Sequence, residues 1–166
     1  KSRLDPLGRG ATFSNYKRGL AQNVAYVGGG SESASVDDSG LIAWVINAAG
    51  TKTSYGYDLG GRLSLITPPA DTGVTYNPTQ LAFVPVTTAE FGLSGGHWRQ
   101  TVSTGNARTE RYFDALWRPR LTVTYDNLDK PGTSRAVLQR YDIDGRVTFR
   151  SLPQRSFSSV DSPATG

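Results

Sequence analysis

Cysteine and methionine are absent from this sequence, and histidine occurs once, at His97. Without cysteine there is no disulfide framework and no thiolate chemistry, and any redox compartment is permitted. A single histidine removes a His-rich metal site and leaves no adjacent Ser-His-Asp signature, so no metal, no cofactor and no enzymatic activity are expected. No apolar run approaches the length that spans a bilayer, and no secretory signal segment is present. A chain that starts at Lys1 and contains no methionine is expected to be a piece of a longer polypeptide.

Helical patterning is scarce too. The best stretch, "TTAEFGLSG" around Glu90, is short and interrupted by Gly92. What the chain has instead is punctuation: 19 glycines and 9 prolines fall at turn-like intervals among short alternating runs, which suits many strands and predicts an all-β chain. Strands are expected at Lys52 to Tyr57 with Arg62 to Ile66, at Arg120 to Tyr125, and at Val137 to Tyr141 with Arg146 to Arg150. The continuous apolar run "LIAWVIN", Leu41 to Asn47, reads as a strand covered on both faces. "GGGSESAS", Gly28 to Ser35, has linker composition and is expected as a loop; "DNLDKPGTS", Asp126 to Ser134, is expected as a long hairpin loop.

The turns share a pattern. In "SYGYDLGGRLSLIT" two alternating runs flank Asp58, Gly61 and Arg62. The aspartate opens the connection by accepting backbone N–H groups a few residues on, and the glycine supplies a left-handed backbone at no Cβ cost. The arginine starts the return strand with its stem on the apolar face and its guanidinium within reach of a carboxylate. Aligned on the aspartate, the same pattern occurs as "LDPLGR" (Asp5, Gly8, Arg9), "VDDSGL" (Asp37, Gly40), "YDLGGR" (Tyr57, Asp58, Gly61, Arg62), "FDALWR" (Phe113, Asp114, Arg118) and "YDIDGR" (Tyr141, Asp142, Gly145, Arg146). A looser copy, "YNPTQL" with Tyr76 and Asn77, lies in the longest gap. The period is about twenty residues with insertions, in the range of stacked supersecondary units.

At these residues the chain resembles the YD repeats of Rhs proteins, which are also found in insecticidal Tc toxin subunits and in teneurins. "YDLGGRLSLIT" and "YDIDGRVTFRS" are the nearest copies; elsewhere Leu4 and Val36 stand for the aromatic, Leu41 for the arginine and Trp117 for the glycine. The resemblance covers residues 4–153 and leaves 154–166 as an expected flexible tail. It implies consecutive antiparallel β-hairpins forming part of a curved sheet or spiral shell that encloses a toxin or cargo polypeptide. The implied partners are other repeats of the parent protein and the enclosed cargo, and the implied location is secreted or at the cell surface. A hairpin array cut from such a parent is expected to self-associate through unpaired edges.

Other chemistry is weakly represented. The net charge of +4 arises from basic residues spread among turns, whereas a nucleic-acid patch clusters them. Each repeated aspartate is explained by its turn, so paired carboxylates for glycoside hydrolysis are not expected. The glycine pairs at Gly60 and Gly95 lack the strand–loop–helix setting of a phosphate cradle, and His97 in "GGHWRQ" reads as a surface or repeat-packing residue. The competing function is binding. Trp44, Trp98 and Trp117, with eight tyrosines, offer flat faces on which sugar rings can stack. For the repeat tyrosines cross-strand packing is the better account, whereas Trp98 and Trp117 sit outside the regular aromatic positions and are the candidate ligand-binding residues for a carbohydrate or receptor.

Overall fold

The chain is all-β. A computed structural model describes residues 1–161 and divides them into two compact units, Lys1–Pro78 and the segment from Thr79 onward. Each is a meander in which every strand pairs antiparallel with its sequence neighbours.

The first unit contains β1 (Ser2–Leu4), β2 (Gly10–Lys17), β3 (Leu20–Tyr26), β4 (Ser31–Val36), β5 (Ile42–Ile46), β6 (Lys52–Tyr57) and β7 (Leu63–Thr67). It is a sheet one layer thick, since Val36 is its one buried residue. All five residues of β5 are half-buried, which corrects the expectation that "LIAWVIN" is covered on both faces. The run is apolar because each face is partly shielded by cross-strand neighbours, with no second layer over either. The glycine-rich stretch is also shorter as a loop than expected. Gly28, Gly29 and Gly30 make the turn at φ of +100°, +106° and +86°, and the serines after them pair in β4.

The second unit contains β8 (Thr79–Val86), β9 (His97–Thr104), β10 (Ala107–Phe113), β11 (Pro119–Asp126), β12 (Arg135–Tyr141) and β13 (Val147–Arg150). A single helical turn, α1 (Lys130–Thr133), sits in the loop between β11 and β12, with the Asp129 carboxylate accepting from Gly132 N–H. This unit has a core. Alternation along β11 puts Leu121, Val123 and Tyr125 on one face, and the antiparallel register aligns them with Tyr112 of β10 and with Ala136 and Leu138 of β12. The cover comes from two irregular segments: the β8–β9 loop through Phe91 and Leu93, and the C-terminal segment through Phe157 and Val160.

That second cover overturns the expected flexible tail for 154–161. Gln154 pairs with Ala136 in both directions, at 2.7 and 2.9 Å, and the Val160 amide donates to the Phe91 carbonyl at 2.7 Å. Two apolar side chains spaced by three residues pack on the core and anchor a stretch whose other residues are all polar or charged. Residues 162–166 of the expected tail lie outside the described residues.

Candidate functional site

Six turns share one geometry. At Asp5, Asp37, Asn47, Asp58, Asp114 and Asp142 the turn-opening amide donates to the carbonyl four residues on, at 2.8–3.1 Å, and the amide three residues on donates back, at 2.9–3.2 Å. The side chain caps the loop. Oδ1 of Asp58 accepts from Gly60 and Arg62 N–H at 2.9 and 3.0 Å, and Oδ2 accepts from Arg62 Nε at 2.8 Å. Asp5 repeats this with Leu7 and Arg9, and Asp114 with Leu116 and Arg118. Asp37 keeps the two amide bonds without the arginine, because Leu41 stands there. Asp142 accepts from Arg146 N–H, while the Arg146 guanidinium turns to Asp144.

One member was missed and one misassigned. Asn47 caps its own turn through Ala49 and Thr51; the signal in the sequence was "NAAG" after an apolar residue, with neither an aromatic nor an arginine beside it. Asn77 makes no such turn. Gln80, three residues on where a turn glycine would be, already lies in β8, and the nearby reversal is a tighter one at Asp71 to Val74.

Left-handed backbone at the fourth turn position is supplied by Gly8, Gly40, Gly50, Gly61 and Gly145 at φ from +73° to +89°, and at the remaining turn by Trp117 at +63°. The turn closes without glycine, so the tryptophan carries backbone strain that is uncommon for a bulky residue.

Successive turns are linked. Connections in a meander alternate between two edges, so Asp37 and Asp58 share an edge in the first unit, and Asp114 and Asp142 share one in the second. At each of these four turns the residue before the aspartate closes the loop opposite the residue five after it, next to a bulge: Val36 with Ile42, Tyr57 with Leu63, Phe113 with Pro119, Tyr141 with Val147. The Tyr57 hydroxyl then donates to the Ile42 carbonyl at 2.9 Å and the Tyr141 hydroxyl to the Pro119 carbonyl at 3.0 Å. Both tyrosines reach the same position of the preceding turn on their edge. In the second unit Arg118 adds to the link, donating to the Asp142 carbonyl at 3.1 Å with its guanidinium 5.0 Å from the Tyr141 ring centre. Tyr141→Phe is expected to lose about 0.5–1.5 kcal/mol, one net hydrogen bond. Urea unfolding checks this, and an unchanged midpoint would mean the hydroxyl does not couple the turns.

The two candidate tryptophans come together. Trp98 on β9, Phe83 on β8 and Trp117 in the β10–β11 turn form a triangle with centroid separations of 4.9, 5.2 and 5.4 Å. Their planes lie within 30° of one another. Phe113 meets Phe83 edge-on at 5.6 Å. Register places this group on the face opposite the core, with Gln100 of β9 facing Phe83 and Arg111 of β10 facing Gln100. The Arg111 guanidinium donates to Gln100 Oε1 at 2.8 Å. Trp44, by contrast, lies in β5 with the Lys52 ammonium 5.0 Å above its ring.

On the core face lies a buried carboxylate, Glu110. It accepts from the Tyr112 hydroxyl at 3.0 Å and has Arg108 and Lys130 at 3.2 and 3.7 Å. His97 is buried as well, which corrects the surface reading. Its Nδ1 is 2.8 Å from the Ser94 carbonyl and its Nε2 is 3.5 Å from Glu90, whose carboxylate also pairs with Arg99. Among the described residues no group of three His, Asp or Glu side chains is arranged to hold a metal.

Three carboxyls are held below their ordinary range. The Arg62 backbone N–H is the main cause at Asp58. At Asp114 burial pushes upward and is outweighed by the backbone and guanidinium bonds of Arg118. Burial also pushes Glu110 upward, and the Tyr112 hydroxyl with the charges of Lys130 and Arg108 outweighs it. A depressed folded pKa stabilises above the unfolded value, about 4 for a carboxyl, and that contribution is lost as pH falls through the folded values. The thermal midpoint is therefore expected to decline as pH is lowered below about 4. A midpoint that rises in acid would show that these carboxylates are strained in the fold.

Comparison with protein-family models and with curated protein sequences finds no match to this chain.

Proposed function

We propose that this chain is a structural wall segment of an Rhs-type YD-repeat protein, a scaffold for an enclosed toxin or cargo polypeptide and not an enzyme. The observation that carries the reading is the tyrosine link. Tyr57 and Tyr141, in different units, each bond the residue five after the preceding turn's aspartate, so the turn and its connection to the next turn behave as one transferable unit. An array built this way grows by adding hairpins, and the one-layer first unit leaves both sheet faces for neighbouring repeats or cargo to cover. The repeated carboxylates are occupied by their own turns. The secreted or cell-surface location belongs to this proposal through the resemblance alone.

Electron microscopy of the polypeptide that carries this segment is the decisive experiment. A hollow hairpin wall around a second polypeptide is expected, and a segment standing alone as a closed module would overturn the reading. For the isolated chain, light scattering across a wide concentration range is expected to show association, together with hydrophobic-dye binding. A strictly monomeric species that binds no dye would sink the open-wall picture. Assays on glycosides, esters and peptides are expected to show no turnover, and saturable turnover abolished by changing one aspartate would make the chain an enzyme.

A further inference from the structure

His97 is the one histidine of the chain, and it is buried, at 7% exposure. Both of its ring nitrogens face oxygen acceptors: Nδ1 lies 2.8 Å from the Ser94 carbonyl and Nε2 lies 3.5 Å from the Glu90 carboxylate. A neutral imidazole has one N–H, so it can donate to one of these oxygens and must turn a lone pair toward the other. With the proton at Nδ1, where the contact is short, Nε2 is left buried without a hydrogen-bond partner. A second proton, taken up from solvent at Nε2, makes that orphan a donor beside a carboxylate, and the ring then serves both oxygens.

The surroundings leave that pairing to Glu90. On the histidine's own strand Arg99 shares the carboxylate, with Nη1 at 3.2 and 3.4 Å from its two oxygens, and a carboxylate has about four lone-pair sites, so room remains for the ring. From β8 the uncharged Val86 stands opposite His97. From β10 the Tyr112 ring lies 6.3 Å away, with its hydroxyl engaged by Glu110. Asp114, Arg120 and Asp161 line a cavity with His97, but Asp114 is held by Arg118, and Arg120 and Asp161 hold each other. Glu90 also opens a tight reversal in the β8–β9 loop. Its backbone exchanges hydrogen bonds with Leu93 at 3.1 and 2.9 Å, and Phe91 between them takes a left-handed backbone at φ +51°, which a bulky residue keeps only where its surroundings enforce it. Phe91 and Leu93 are this loop's share of the core cover, and the Phe91 carbonyl accepts from Val160 N–H, so the C-terminal cover rests on the same reversal.

We propose that His97 and Glu90 form a proton-operated latch on the core cover of the second unit. With both ring nitrogens protonated, His97 ties Glu90 and Ser94, on either side of the reversal, to β9, and the cover is closed. As pH rises through the range in which histidines titrate, about 6.5, the proton at Nε2 leaves, the tie to Glu90 is lost, and the loop can lift Phe91 and Leu93 off the core. The latch is independent of the wall reading, because every group in it belongs to the second unit.

A lone histidine makes the test direct. Imidazole nitrogen resonances of the whole chain, followed from about pH 5 to about pH 8, report the protonation of this one ring, and amide hydrogen exchange at the same pH values reports the opening of residues 90–96. The ring is expected to carry both protons at the acidic end. Across the titration the loop amides are expected to lose protection about tenfold or more beyond the intrinsic rise in exchange rate, as for one hydrogen bond to a charged group, while β11 and β12 stay protected. His97→Gln is expected to abolish that pH dependence, and Glu90→Gln, on the half-buried loop, serves as the second variant should the first fail to fold. Four results overturn the proposal: a ring that stays neutral throughout, loop protection that does not change with its titration, a pH profile unaltered in both variants, or a loss of protection that extends equally to β11 and β12.

Discussion

Phe157→Ala is expected to cost about 3–5 kcal/mol of unfolding free energy, the range for removing a buried phenylalanine. Phe157 is 7% exposed and Val160 is 1% exposed, and the two cap a layer of Leu121, Ala136 and Leu138 that has no helix over it. Removing the ring takes away both its transfer free energy and the support it gives to Leu93 and Phe91, since those side chains form the rest of the same cover. The segment's own hydrogen bonds to Ala136 and Phe91 remain possible, so the loss reports packing rather than a detached backbone. Urea unfolding followed by tyrosine and tryptophan fluorescence measures it. A change within about 0.5 kcal/mol, as for ordinary surface positions, would mean that the segment adds nothing to the core and is a tail after all.

Leu138→Ala is expected to cost about 2–5 kcal/mol, because Leu138 has no exposed surface and lies opposite Leu121 in the ladder. Its backbone is fixed as well: Leu138 N–H donates to Ser151 Oγ and its carbonyl accepts from Ser151 N–H, both at 2.9 Å. The cavity therefore cannot close by a shift of β12, and the penalty should fall toward the upper part of that range. Ile46→Ala is the matched comparison. Ile46 lies in the most apolar run of the sequence, yet it is only half-buried on a one-layer sheet, so the same kind of truncation removes less surface from water and leaves no cavity. The expected order is Leu138 well above Ile46. The reverse order would place the molecule's principal core in the first unit.

The turns were the most legible part of the molecule because their chemistry is local. A capping carboxylate, a residue that accepts a left-handed backbone and a return strand all lie within six residues, so spacing alone carries the information. The same locality explains the two errors. Asn47 lacked the tyrosine and arginine that made the other copies conspicuous, although neither is needed for the cap; Asn77 had the turn-former but not the backbone course, which β8 claims two residues later. Strands β2, β3, β8, β9 and β10 were less visible, since their half-exposed faces mix serine, threonine and glutamine with the apolar residues and blur the alternation.

By itself, then, the sequence determined an all-β meander and the positions of five of the six turns that share the capped geometry described above, because those depend on contacts between residues close in the chain. The tertiary structure alone decided where the core lies. "LIAWVIN" has more apolar residues than "RAVLQRY", but burial depends on whether another segment lies over the strand, and it is β10, β11 and β12 that have the β8–β9 loop and the Phe157–Val160 segment packed against their core face. It alone decided the aromatic stack as well. Phe83, Trp98 and Trp117 come from two strands and a turn, and a meander sets which side chains share a face only once register is fixed, so no spacing along the chain could have shown three rings about 5 Å apart.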